Sequence, residues 1–205
     1  PEHIATLLEE TRRILDERGP KGRSIAISFD EWNVAHRGTG RHRRQNYALR
    51  DGLYAAGMFN IFQKHCANLT MANIAQLVNL LGVVETSGTD AYGTPIFQAF
   101  KLYTGHCGDI ALATEVDSET FDVPAVGNIP EQKGISYLSA SASLDTKRNL
   151  VCLAVINRHS TDDIAATVEV QGVDSKCEAH VWELNGPGMD ARNDFDAHDR
   201  VTIHD

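Results

Sequence analysis

The chain is poor in several things, and each shortage narrows what it does. No apolar run approaches the length needed to cross a bilayer. No basic segment leading into an apolar one opens the chain, so no signal peptide is visible. Positive charge is in deficit: 19 Lys and Arg stand against 28 Asp and Glu, a net charge of −9. An acidic chain does not suit a phosphate backbone, which argues against nucleic acid as a partner. The four cysteines, Cys66, Cys107, Cys152 and Cys177, form no Cys-x-x-Cys pair, and the nine histidines form no His-x-x-x-His pair. A zinc ribbon, a redox motif and a metal site are therefore not expected, and the thiols are expected to be mostly buried in a reducing, cytoplasmic compartment. There is no G-x-x-x-x-G-K, no G-x-G-x-x-G and no G-x-S-x-G, so neither a phosphate loop nor an α/β-hydrolase elbow is present, and no cofactor is implied.

What is present is enough apolar material, 42 %, for a packed core. His3 to Arg18 places Ile4, Leu7, Leu8, Thr11 and Leu15 at helical spacing, ended by Gly19-Pro20. Ser24 to Phe29 is a short apolar run with the look of a buried parallel strand. A second helix is predicted from about Asn46 to His65, a second strand over Asn68–Ile74, and a third helix over Thr94–Tyr103 with Pro95 in its first turn. This alternation predicts β/α units on a parallel sheet. After Gly108 the pattern changes to strands: Ile110–Val116, Ile135–Leu144, Leu150–Ile156, Ile164–Val170, Glu178–Glu183 and Val201–Ile203, with a hairpin turn at Asp145–Asn149. An antiparallel β-sandwich is expected there, with the boundary near residue 108.

The chemistry-bearing run is Ser28-Phe29-Asp30-Glu31-Trp32-Asn33. Acids at the C-terminal end of a buried strand occupy the place where barrel enzymes hold catalytic groups. A carboxylate beside an aromatic ring suits a sugar, because the ring stacks on its apolar face and the carboxylate attacks or stabilises an oxocarbenium-like centre. An acidic pair that merely caps a strand–loop junction accounts for the same position, so the pattern alone leaves both readings open. The second strand end carries Asn73 and Gln76, neutral amides suited to sugar hydroxyls or to local backbone bonding. The basic loop Arg37–Arg44 reads as a solvated rim.

The runs ISFDEWNV (Ile27–Val34) and MANIAQLVNLL (Met71–Leu81) resemble two motifs of glycoside hydrolase family 51, the α-L-arabinofuranosidases. Thr94–His106 resembles that family's helix after the last barrel strand, and Leu150–Arg158 a strand of its C-terminal sandwich. The resemblance implies the C-terminal part of a (β/α)8 TIM barrel over residues 1–107, strands seven and eight, followed by an antiparallel, jelly-roll-like β-sandwich over 108–205. It implies a retaining double displacement with Glu31 as nucleophile, and arabinose contacts from Gln76. Trp32, Asn33 and Asn73 are the further substrate-binding candidates, with Asp30 in support. The implied partner is an arabinose-containing oligo- or polysaccharide, and the whole enzyme is expected to be a homo-oligomer. Two departures stand out. Ala35 takes a position where the family often has an aromatic residue. No Asn-Glu dipeptide, the family's acid/base motif, occurs in the chain, so a piece of a longer protein is expected, silent by itself. Another retaining barrel glycosidase, such as an endoglucanase, and a non-catalytic carbohydrate-binding sandwich remain the alternatives.

Overall fold

The computed structural model describes residues 1–36, 45–172 and 178–205. Helix α1 (Glu2–Arg18) stops at Gly19, whose N–H bonds the Leu15 carbonyl at 2.8 Å. Its buried residue, Leu8, packs with Ile61 and Leu69. Its outer face carries the Arg13–Glu17 pair at helical spacing.

Strand β1 (Ile27–Trp32) begins three residues later than expected, at the point where the Ile27 N–H first finds a partner, the Asn68 carbonyl. Helix α2 (Leu49–Lys64) crosses to β2 (Leu69–Ile74), which lies parallel to β1. The late start of α2 has a cause outside the helix. The N–H groups of Leu49 and Arg50, left open by helix geometry, bond the carbonyls of Ala191 and Met189, far along the chain. The Asp51 carboxylate accepts from the Ala48 N–H and completes the cap.

The expectation that α2 is buried on several sides is met by three neighbours. Phe59 and Phe62 meet Trp32 of β1 edge-on. Helix α3 (Pro95–Gly105) crosses so closely that a Cβ on Gly52 would lie 2.8 Å from the Pro95 carbonyl oxygen. The third neighbour is the strand-rich second half. Between β2 and α3 lies a hairpin that the sequence did not announce. It comprises β3 (Val84–Ser87) and β4 (Asp90–Gly93), turning through Gly88 at φ +56°. Its polar strands, with buried Glu85 among them, lack the apolar alternation that marks a strand.

The second half contains β5 (Ile110–Leu112), β6 (Thr120–Val123), β7 (Gln132–Ser136), β8 (Leu138–Asp145), β9 (Leu150–Asn157), β10 (Glu183–Asn185) and β11 (Thr202–His204). All pairings among these strands are antiparallel: one sheet in the order β5-β8-β9, and the pairs β6-β7 and β10-β11. The run Ile135–Leu144 is broken at Tyr137, which bonds Glu119 and Arg158 through its backbone instead. Ile164–Val170 forms no strand, a correction to the periodicity reading, and Val168 and Val170 are exposed. Only Glu183 of the expected strand Glu178–Glu183 lies in a strand, at the start of β10. The β8–β9 turn falls where Asp145–Asn149 placed it, with Asn149 at φ +54°.

The two halves meet through the apolar cluster that Ile156 shares with α2 and α3, and through polar groups. Ser139, Ser141 and Ser143 alternate along β8, all buried, and face α2. Asn60 of α2 donates to Ser139 and accepts from Ser141 and from the Tyr103 hydroxyl. Gln63 and Cys107 carry the chain of bonds on to Ser143. The expectation of mostly buried thiols is corrected: Cys66 is exposed, Cys107 and Cys152 are half-buried, and Cys177 lies outside the described residues.

Candidate active site

The C-terminal ends of β1 and β2 lie side by side, and a bulge shapes them. Phe29 pairs with Ala72 and Trp32 with Ile74, so three steps along β1 match two along β2. The extra residue keeps Phe29 and Trp32 on the helix-packed face although they are three apart. It leaves both Asp30 and Glu31 exposed. Strict alternation would have sent one of the two acids inward, so the bulge is what makes an acid pair tolerable here. Ser28 donates to the Asp30 carboxylate at 2.7 Å and steadies it on the open face.

The expectation of Trp32 as a ring for stacking on sugar is not met by its burial. The indole is only 5 % exposed. It stacks on Phe100 and meets Phe59 and Phe62 edge-on, inside the core. Its effect on Glu31 is to anchor the strand beneath it. Asn33 is also corrected as a substrate contact. Its amide nitrogen donates to the carbonyls of Ala75 and Leu81, each at 2.7 Å, and its oxygen accepts from the Val34 N–H. A side chain so committed ties the exit of β1 to the loop after β2.

Asn73 is exposed near the end of β2, its amide on the Met71 sulfur at 3.3 Å. Gln76 is exposed just beyond β2, following a cis peptide with Ala75. Its amide nitrogen lies 3.1 Å from the Asn79 carbonyl, folded over its own loop. Asn79 pins that loop to Thr86 on β3 through both of its side-chain atoms. Glu31, Asn73 and Gln76 are thus all presented at one end of the parallel pair, whereas Trp32 and Asn33 support that end from behind and beside. Ala35 is exposed, so no side chain of bulk stands there.

Sequence reasoning missed two groups beside the site. Tyr47, 2 % exposed, sends its hydroxyl to the Val34 and Leu81 carbonyls. Burial, and then the nearby Asp51 carboxylate, push its pKa up, so it stays a neutral donor. His36 bonds buried Asp51 through Nε2 at 2.9 Å, and its backbone N–H bonds Gln45. Asp51 at the third position of a helix carried a readable capping signal, but nothing local marks Tyr47. The basic loop Arg37–Arg44 lies outside the described residues. Among the described residues no cluster of three or more His, Cys, Asp or Glu could hold a metal ion. No helix among them is long and apolar enough to cross a membrane.

Residues 30–205 match the family described as the alpha-L-arabinofuranosidase C-terminal domain. The chain belongs to this family. Its similarity to an intracellular exo-alpha-L-arabinofuranosidase of Bacteroides ovatus is 28 % identity, over 88 % of this chain and 34 % of that protein. An intracellular exo-alpha-(1->5)-L-arabinofuranosidase of Streptomyces lividans is 26 % identical over 89 % of the chain and 28 % of its own length. The chain thus spans about a third of the curated relatives it matches. Among solved structures, the GH51 alpha-L-arabinofuranosidase of Thermotoga petrophila superposes with a TM-score of 0.88 at 29 % identity, covering 98 % of this chain and 43 % of that one. The Thermotoga maritima alpha-L-arabinofuranosidase, in its arabinose complex, gives 0.87 at 28 %, covering 98 % and 42 %. The likeness to these solved structures runs over 98 % of this chain, and so over both halves of its fold.

Proposed function

We propose that this chain supplies the nucleophile-bearing part of a retaining α-L-arabinofuranosidase, acting on terminal non-reducing arabinofuranosyl residues of oligo- or polysaccharides. In this reading residues 1–107 are the last part of a (β/α)8 barrel, with β1 and β2 as neighbouring strands and α2 and α3 outside them. Residues 108–205 are the β-sandwich domain. The one-sided packing of the parallel pair supports the barrel. Helices cover the face of Phe29 and Trp32, while Asp30, Glu31, Met71 and Asn73 stand exposed. Parallel sheets are ordinarily covered on both faces, and a barrel interior is such a cover.

The observation that carries the proposal is the shared end of β1 and β2. In a chain of this family, Glu31 and Gln76 leave adjacent parallel strands at the same end. Glu31 attacks the anomeric carbon of arabinose and forms an ester, displacing the leaving oxygen. A second carboxyl, about 5–5.5 Å away, protonates that oxygen and then takes a proton from the water that cleaves the ester. That second group comes from the portion of the relatives that this chain does not span. Gln76 hydrogen-bonds arabinose hydroxyls as a neutral amide, with Asn73 beside it. The bacterial relatives' names place those proteins inside the cell, and the same location is proposed here.

The test is Glu31→Ala in the enzyme that carries this chain. Turnover of an aryl α-L-arabinofuranoside falls by at least about a thousandfold, the scale expected when a nucleophile is removed. Added azide restores release of the aryl group and gives the azide of inverted configuration. Near-normal turnover without azide overturns the assignment.

A further inference from the structure

We infer that Tyr47 is a positioning residue for the arabinose site, its buried hydroxyl joining the segment that leaves Glu31 to the loop that carries Gln76. The inference rests on the function proposed above and adds to it a residue from neither strand.

The argument starts where the strand ladder stops. Trp32 and Ile74 are the last paired positions of β1 and β2. One backbone bond follows, Ala75 N–H to the Trp32 carbonyl at 3.0 Å. Beyond it, among the described residues, no further rung of the β1–β2 ladder fixes the distance between the two strand ends. The Leu81 carbonyl takes over that task. It lies 2.7 Å from the Asn33 amide nitrogen, 3.3 Å from the Tyr47 hydroxyl and 3.4 Å from the Gln76 N–H. The Tyr47 hydroxyl also lies 2.9 Å from the Val34 carbonyl. A hydroxyl has a single proton, so the shorter bond to Val34 is the stronger and the contact to Leu81 shares what remains.

Tyr47 suits this task because it is itself held. It is 2 % exposed and precedes α2 by two residues, so a rigid helix fixes its origin. Burial raises its pKa, which favours the protonated hydroxyl that the two carbonyls need as a donor. The hydroxyl is not the sole tie in this region: the Asn33 bonds, the Ala75–Trp32 bond and the His36–Asp51 contact stand beside it. What changes on its removal is the relative placement of two strand ends, and catalysis is sensitive to displacements that stability hardly registers.

The experiment is Tyr47→Phe in the enzyme that carries this chain, with an aryl α-L-arabinofuranoside as substrate. Displacement of the Gln76 loop relative to the β1 end predicts a fall in kcat/KM of roughly tenfold, mainly through KM. Amide exchange over residues 75–82 accelerates by more than in the rest of the chain, and the thermal midpoint falls only as far as the loss of one hydrogen bond requires. In a Gln76→Ala background the same substitution adds nothing to KM, because the residue being placed is gone. Asn33→Ser, which cuts the link from the β1 end, gives the same pattern and serves if Tyr47→Phe does not fold. Unchanged kinetics overturn the inference. So does an equal loss in the Gln76→Ala background, which would put the effect elsewhere. If exchange accelerates but the enzyme carrying the natural chain does not hydrolyse arabinofuranosides, the function fails, and with it the arabinose role. The link between the strand ends then stands by itself.

Discussion

Glu31 and Trp32 are neighbours in the chain, yet Glu31 stands on the exposed face of β1 and Trp32 is 5 % exposed within an aromatic cluster. The pair couples a candidate reactive carboxylate to the buried aromatic cluster of the core. A strand end carrying such a group must not drift, and a buried indole held by three phenylalanine rings is a strong anchor.

Truncating that anchor is expected to be costly. Trp32→Ala lowers the free energy of unfolding by about 3–5 kcal/mol, the range for a large aromatic removed from a core. Trp32→Phe costs clearly less. It retains the stack on Phe100 and removes an indole N–H that meets no acceptor among the described residues. Denaturant titration of both variants checks this. Equal losses for Ala and Phe would contradict the packing described.

The serine face of β8 gives a second expectation. Asn60→Leu keeps the volume but strands the Tyr103 hydroxyl and Ser139 in a buried interface, while Ser141 keeps its bond to Gln63. At about 1–3 kcal/mol for each buried polar group left unsatisfied, several kcal/mol of destabilisation follow, whereas Tyr103→Phe loses about 1 kcal/mol. Limited proteolysis between α3 and β5 is the sharper reading, because loosening this interface exposes the connection around Gly108. That glycine passes so close to β8 that a Cβ would fall 2.3 Å from the Leu144 carbonyl oxygen.

The carboxylates around the β8–β9 turn make stability depend on acid. Asp109 is held below its ordinary pKa by bonds from the Thr146 N–H and hydroxyl, and Asp145 by bonds from Arg148. A depressed folded-state pKa means that the unfolded chain binds protons first. The stabilisation is therefore complete above the unfolded value, near pH 4, and is lost as pH falls below it. Asp109→Asn flattens the melting temperature against pH in that acid range and leaves the slope near neutrality unchanged. An unaltered acid limb would rule out the carboxylate's part.

Thiol reactivity ranks the cysteines. In a Cys177→Ser background, exposed Cys66 reacts first with an aromatic disulfide reagent. Cys152 lags, because burial raises its pKa and thins the thiolate that attacks. Labelling followed by peptide mapping decides the order, and modification of Cys152 before Cys66 would refute it.

Much of the first half was legible because its signals are local. The helical spacing of Ile4, Leu8 and Leu15, the stop at Gly19-Pro20 and the Thr94-Pro95 start of α3 each act within a turn of chain. The hairpin β3–β4 was hidden because its strands are polar, and the run Ile164–Val170 misled because apolar alternation promises a strand only where a partner receives it.

At the site the division is finer. The amino-acid sequence by itself placed Asp30 and Glu31 at a strand end, set Gln76 shortly after the next strand, and carried the resemblance to the arabinofuranosidases. Only tertiary structure decided which way the side chains face. A period of two cannot foresee a bulge, and the bulge in β1 turns Trp32 into the core and leaves both acids outside. Nor can a sequence show that the Asn33 amide spends its donors on carbonyls 42 and 48 residues away. Nor can it show that Tyr47 reaches Leu81. Those bonds exist because the chain returns to the same point in space, and that return is settled by packing over the whole fold rather than by any neighbour in the chain.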